Sequence, residues 1–369
     1  MIDYSLDEFW WENITGPHVL ATKVSEALLD DRMVVLAIPP DVPWLDAMRS
    51  AIQTAFQRKL YDIHPLFHEI DITEDELAET DPGKFLLNRF GTEMARLSYR
   101  EKMPIQDYIV QKKMLNNTIV WVKGLNDNGV IEQWTRFCRG FKNRAKQDGL
   151  FILEMSDQIR QIDMKPLEVI KYSDCVSNYD VQLFNRIVLG DQGKYSDTWK
   201  NYIASVSASV CDTDAELSAA LIETMDFKRK SILDGIKTIA ESEGEVYSEH
   251  AQWYLQNRKT DEIEHRIWRA QVQVLFPVIE LERLDLIQKW NYEIQKTLND
   301  KFVFQFREHI QDVSQVELGT LDYIVNKYEY CIRDEKVCKW ISFLHECRNQ
   351  LAHAECCTPD QVRQLLDRS

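Results

Sequence analysis

The sequence predicts an α/β domain followed by an all-α domain. Two observations carry this. Five short apolar runs alternate with helical patterns up to about residue 172, which suggests a mostly parallel sheet covered on both faces. Beyond that point strand patterns stop and amphipathic helical patterns continue to residue 369. The expected domains are 1–172 and 173–369, the second containing a helical bundle over about 247–369.

In chain order, Val19 to Leu29 reads as a helix. Met33 to Ile38 is a compact apolar run ended by Pro39-Pro40, so it reads as a buried strand. A helix follows with Trp44, Met48, Ile52 and Phe56 on one face. Leu66–Ile72, Thr118–Val122, Leu150–Leu153 and Leu167–Ile170 are the other strands. In the second domain, Thr198–Val210, Asp214–Ser242 and Ser248–Asn257 read as helices. Asp261–Leu298 is a long helical stretch that Pro277 should kink or break. Lys301–Ile310, Val316–Tyr328 and Glu335–Ala354 read as further helices. Thr358 and Pro359 supply an N-cap and a first-turn proline for a last short one.

The formal charge is −16. Such a chain is a poor candidate for broad, nonspecific attachment to a nucleic-acid backbone, although a local RNA site is compatible with it. Eight cysteines without a C-x-x-C pair read as reduced thiols of a cytoplasmic protein. The N-terminus is acidic and aromatic, unlike a signal or transit peptide, and no apolar run reaches membrane-spanning length. No metal or cofactor is expected. The acidic stretch Glu69–Asp81 reads as structural, because Thr73-Glu74-Asp75-Glu76 fits a capping box. G-x-S-x-G and H-E-x-x-H are absent.

Arg136, Arg139, Lys142, Arg144 and Lys146 form the main basic cluster of an acidic chain. Trp134, Phe137, Phe141 and Ala145 keep helical spacing through it. The pattern fits a solvated cationic helix face, or a docking surface for RNA phosphate or an acidic partner.

The richest stretch is Arg333–Cys357. On a helical wheel at about 100° per residue, Trp340, Phe343, Leu344, Cys347, Leu351 and Ala354 share an apolar arc. His345, Asn349 and His353 stack on the opposite arc, with Arg348 at its edge. Arg348-Asn349-Gln350-Leu351-Ala352-His353 resembles the R-x4-6-H motif of the HEPN superfamily in its RN-x-x-x-H form. Arg258 and His265 fit a looser spacing but lack the asparagine. The resemblance implies a metal-independent ribonuclease with Arg348, Asn349, His353 and His345 at its site. It also implies a toxin-like role in bacterial immunity, as in antiphage defence or toxin–antitoxin systems. Its partners would be RNA and either a second copy or other defence subunits. Ile341 and Ala352 lie among these polar residues, which suggests either an interface between chains or packing of this face within the monomer against a preceding helix. The alternative is a noncatalytic adaptor of a multiprotein defence complex.

The strand–helix order of the first domain resembles the core of a P-loop ATPase of the AAA+ or STAND kind. Where a phosphate-binding loop would follow the first strand, the chain has Pro39-Pro40-Asp41-Val42-Pro43, and no Gly or Lys occurs between Met33 and Phe56. A phosphate cradle needs backbone N–H donors, glycines and a lysine. Three prolines remove donors and stiffen the loop. The first domain is therefore either a degenerate, non-hydrolysing member of that kind, as the resemblance implies, or an unrelated α/β fold.

Overall fold

The computed structural model describes residues 5–60, 65–73, 81–142, 149–158, 165–190, 194–242, 247–301, 303–305, 308–328 and 331–368. The chain divides into two compact units, residues 1–180 and 181–369.

The first unit opens with helices α1 (Leu6–Asn13) and α2 (Thr15–Leu29), then β1 (Val34–Ile38), α3 (Leu45–Gln57) and β2 (Leu66–Asp71). Next come α4 (Pro82–Phe90), α5 (Glu93–Ser98), α6 (Ile105–Gln111) and β3 (Thr118–Leu125). The unit continues through α7 (Asn128–Lys142), β4 (Leu150–Ser156) and β5 (Glu168–Lys171). All five strands pair parallel, in the order β2-β3-β4-β1-β5. Each expected strand is present; the inner strands β1, β3 and β4 are apolar because both their faces are covered, while the edge strands β2 and β5 are largely exposed. β1 is buried at all five.

Side chains alternate between the faces of the sheet. Val35, Val120, Val122, Phe151 and Leu153 pack with Phe85, Ile109, Trp134, Phe137 and Phe141 of α4, α6 and α7. Right-handed crossovers put the β1–β2 connection on the opposite face, and there α3 brings Arg49 to β4. Arg49 and Glu154 are both buried. The guanidinium donates to both Glu154 oxygens, at 3.1 and 2.6 Å, and to Asp46 at 2.8 Å. Trp121 Nε1 adds a third donor to Glu154 at 2.8 Å. A buried pair is stable only with this degree of hydrogen bonding.

Helix α8 (Asn178–Leu189) spans the division between the units. The second unit continues with α9 (Asp197–Cys211), α10 (Ala215–Thr224), α11 (Ile232–Ala240), α12 (Tyr247–Asn257) and α13 (Thr260–Lys289). Then come α14 (Asn291–Lys301), the short strands β6 (Phe304–Gln305) and β7 (Glu308–His309), and α15 (Leu318–Lys327). The last helices are α16 (Glu335–Ala352) and α17 (Pro359–Leu366). Thr358 caps α17 with a complete capping box and Pro359 in its first turn. None of the described helices is long and apolar enough to cross a membrane.

Three expectations need correction, and a fourth falls mostly outside the described residues. The helix expected over Asp214–Ser242 is two helices, because residues 225–231 are non-helical and Ser231 starts α11 as its N-cap. The helix expected over Lys301–Ile310 is replaced by the antiparallel β6–β7 pair. Pro277 does not end α13, which runs for 30 residues. Pro277 is exposed, so water can satisfy the carbonyl that loses its helical partner. At the acidic stretch, the described helix starts at Asp81, whose side chain accepts from Lys84 N. Glu74, Asp75 and Glu76 of the expected capping box lie outside the described residues.

The buried pair gives the first prediction. Glu154→Leu should destabilise the first unit by about 3–5 kcal/mol, because Arg49 is left charged and buried. Arg49→Met combined with Glu154→Leu should recover most of that loss. Urea midpoints of the two variants measure the difference.

Candidate functional site

Helix α16 begins at Asp334, whose carboxylate accepts from Lys336 N and Val337 N. It buries Val337, Trp340, Ile341, Leu344, Cys347 and Leu351. This stripe leaves Ser342, His345 and Asn349 on a flank that faces α15. α15 buries Leu318, Leu321, Ile324 and Val325 and offers Asp322 and Asn326 to that flank.

The polar contact between the two helices centres on one carboxylate, beside an Asn326 Nδ2 to Ser342 Oγ bond at 3.1 Å. Asp322 Oδ1 accepts from Ser342 Oγ and from Asn326 Nδ2, and Oδ2 lies 2.9 Å from His345 Nδ1. Asn349 Nδ2 lies 2.9 Å from His345 Nε2. Arg348 Nη1 donates to Asn349 Oδ1 at 3.4 Å. An amide nitrogen can only donate. With the amide so placed, the imidazole accepts at Nε2 and donates from Nδ1 to Asp322. The resulting chain runs Arg348, Asn349, His345, Asp322. Gly319 makes room for the ring, because a Cβ there would stand 3.1 Å from His345 Nε2.

The sequence-derived residues divide accordingly. Arg348, Asn349 and His345 share the chain. His353 does not join it. It is the C-cap of α16, its backbone N–H is taken by the Asn349 and Gln350 carbonyls, and its side chain is exposed. Arg348 is half-buried, and among the described residues it is in no ion pair. By contrast Arg258 bonds Glu262 at 3.2 Å and lies over the Tyr254 ring, and His265 packs on Trp268.

Two expectations for this helix are overturned. Ile341 is fully buried and offers nothing to another chain. It sits at the edge of the apolar stripe, and the flank beside it is covered by α15 of the same chain. Ala354 does not extend the apolar arc. The helix ends at Ala352, and Ala354 is exposed with a left-handed φ of 62°.

Asp322, Asn326, Ser342 and Gly319 were missed in the sequence reading. The available signal was Asp322 and Asn326 at i, i+4 beside the apolar positions of the helix expected over Val316–Tyr328.

On α7, Arg136 is exposed and pairs with Glu132 at 2.7 Å. Arg139 is half-buried and engaged with neighbouring groups. The Lys142 side chain, Arg144 and Lys146 lie outside the described residues. Among the described residues no group of three or more His, Cys, Asp or Glu side chains could hold a metal ion.

In the first unit, β1 lies between β4 and β5 in the sheet. The loop after β1 occupies its carboxyl end. There Pro43 gives its carbonyl to Trp11 Nε1 at 3.2 Å, and α3 starts at Trp44 without a side-chain cap.

No family model matches the chain, and no curated protein matches it.

The α15–α16 contact gives the second prediction. Asp322→Ala removes the acceptor of three side chains and should cost about 1–3 kcal/mol. A thermal melt measures the loss. Nitrogen NMR of His345 should show the Nδ1–H tautomer in the wild type and a mixture in the variant.

Proposed function

We propose that the second unit is a metal-independent ribonuclease of the HEPN type, acting as a toxin-like subunit in bacterial immunity. One observation supports this reading above the others. Arg348 is half-buried, is in no ion pair among the described residues, and is steadied by an amide in a hydrogen-bonded chain. A cation held this way suits a phosphate.

In this reading His353 takes the proton of a ribose 2′-OH. The 2′ oxygen attacks phosphorus, the 5′ oxygen leaves, and the product is a 2′,3′-cyclic phosphate with a 5′-OH. Arg348 stabilises the charge that builds on the phosphoryl oxygens. Asn349 orients that guanidinium, and His345 with Asp322 holds Asn349. His345 is then a positioning residue, since both its nitrogens are engaged. The leaving 5′ oxygen needs a proton donor, which the His353 of a second copy would supply. Such a pairing would use the exposed end of α16 around Ala352 and His353, because Ile341 is buried. The local Arg348 site, rather than overall charge, would draw RNA to a chain of net charge −16.

The second reading is a noncatalytic adaptor of a defence complex. It is favoured by the separation of His353 from the hydrogen-bonded chain. In either reading the first unit is a degenerate P-loop-like domain that serves binding. Its parallel sheet and the position of the proline loop at the carboxyl end of β1 support this.

Cleavage of RNA in EDTA tests the proposal, with partner subunits present. Arg348→Ala and His353→Ala should each lose ~10²–10⁴-fold in rate. Equal cleavage by the wild type and both variants would remove the assignment, and no cleavage by the wild type would favour the adaptor.

For the first unit, titration with ATP and Mg²⁺ should give no heat, since Pro39, Pro40 and Pro43 offer no N–H to a phosphate. Saturable binding that is lost on substitution in this loop would refute the degenerate reading.

A further inference from the structure

The second unit holds a cavity of about 500 Å³ next to the candidate site. It lies between α9, the α10–α11 connection, the start of α13 and the segment joining α16 to α17. Its size is within the range of small-molecule sites. The walls are apolar side chains that are otherwise buried, among them Tyr202, Phe227, Ile232, Ile267 and Val362. Gln271 also lines it, but its amide is fully used by Tyr202 and the Cys357 backbone. Burial pushes the Cys356 thiol up to about 11, so the sulfur in this wall is a neutral thiol.

The mouth has a different character. Asp261, Glu264 and Glu355 line it, against a single lysine, Lys230. None of these four is in an ion pair among the described residues. His265 also lies at the mouth, with its ring against Trp268, 4.9 Å between centroids. Three carboxylates and one ammonium leave an excess of negative charge over an apolar, partly aromatic interior.

We propose that this cavity binds a small organic cation with a flat apolar body, an arylalkylammonium. The ring would lie between Tyr202 and Phe227, and the ammonium would meet Asp261 and Glu264 at the mouth. Occupancy reports to the candidate site, because residues 354–357 form one wall and follow His353 directly. Trp268 Nε1 holds the Leu351 carbonyl at 2.7 Å, and Glu355 N returns to the Gln350 carbonyl at 2.9 Å. The wall and the end of α16 therefore move together. Binding does not depend on ribonuclease activity; the significance of the link to His353 does.

The test is calorimetry on the full chain with tryptammonium, indole-3-ethanol and indole-3-acetate as probes. Tryptammonium should bind with submillimolar affinity and at least ~10-fold more tightly than indole-3-acetate. Leu233→Trp, which places an indole in the cavity from a partly exposed position, should remove binding. Asp261→Asn with Glu264→Gln should weaken the cation but not the alcohol, and both changes are at the surface. The His353 Cε1 proton signal should shift along the same titration. Equal affinity for cation and anion, or no heat from any probe at ~1 mM, would overturn the proposal. Binding by Leu233→Trp equal to wild type would do the same. Binding without movement of the His353 signal would overturn the link to α16. RNA cleavage is not among the readouts, so failure here and failure of the ribonuclease reading are separate results.

Discussion

The second unit depends on how α13 holds the chain that follows α16. Gln271 is buried on α13. Its side chain accepts from Cys357 N at 2.7 Å and donates to Cys357 O at 3.0 Å, pairing with a backbone unit as a strand would. The same amide nitrogen reaches the Tyr202 hydroxyl of α9 at 3.2 Å. One turn earlier, Trp268 takes the Leu351 carbonyl. Helix ends carry carbonyls without intrahelical partners, and buried polar groups are costly when unpaired. These bonds settle both needs, and they fix where α16 stops and where His353 stands.

The flank of α16 follows from that placement. With its apolar stripe fixed on α13 and the core, Ser342, His345 and Asn349 come against α15, where Asp322 answers them. Asp322 and His345 are part-exposed, with 20% and 28% of each side chain accessible. The dyad is therefore open enough for its polar groups to exchange with water, while Gly319 keeps the ring in place. Arg348 lies next to this arrangement without joining its carboxylate, which leaves the guanidinium available to an anion.

Much of the fold was legible because the decisive signals are local. Strands such as Val34–Ile38 are apolar runs bounded by turn residues, and that pattern survives folding. Thr358-Pro359 likewise sets a helix start with its own side chains. The errors came where neighbours decide. Ile341 lies at the margin of the apolar arc, so its fate rested on whether α15 covered that side. The β6–β7 pair lies in a window that also fits a helix. At the candidate site, reading along one helix found Arg348, Asn349 and His345. It could not find Asp322, because that acceptor comes from a separate helix and the pairing is a tertiary fact.

Pro277 has a consequence for how the second unit is held together. Without its N–H, the Gln273 carbonyl lacks the bond that would tie one turn of α13 to the next. The helix is continuous, yet its hydrogen-bond ladder is interrupted near the middle. Before that point α13 holds Tyr202, Leu351 and Cys357; after it, Arg283 reaches the Val316 carbonyl that precedes α15. α16 is bonded on both sides of that point: Trp268 donates to its Leu351 carbonyl, and Trp340 near its start donates to Glu282 at 3.0 Å. One helix therefore splints the other across the place where the latter's own ladder is broken.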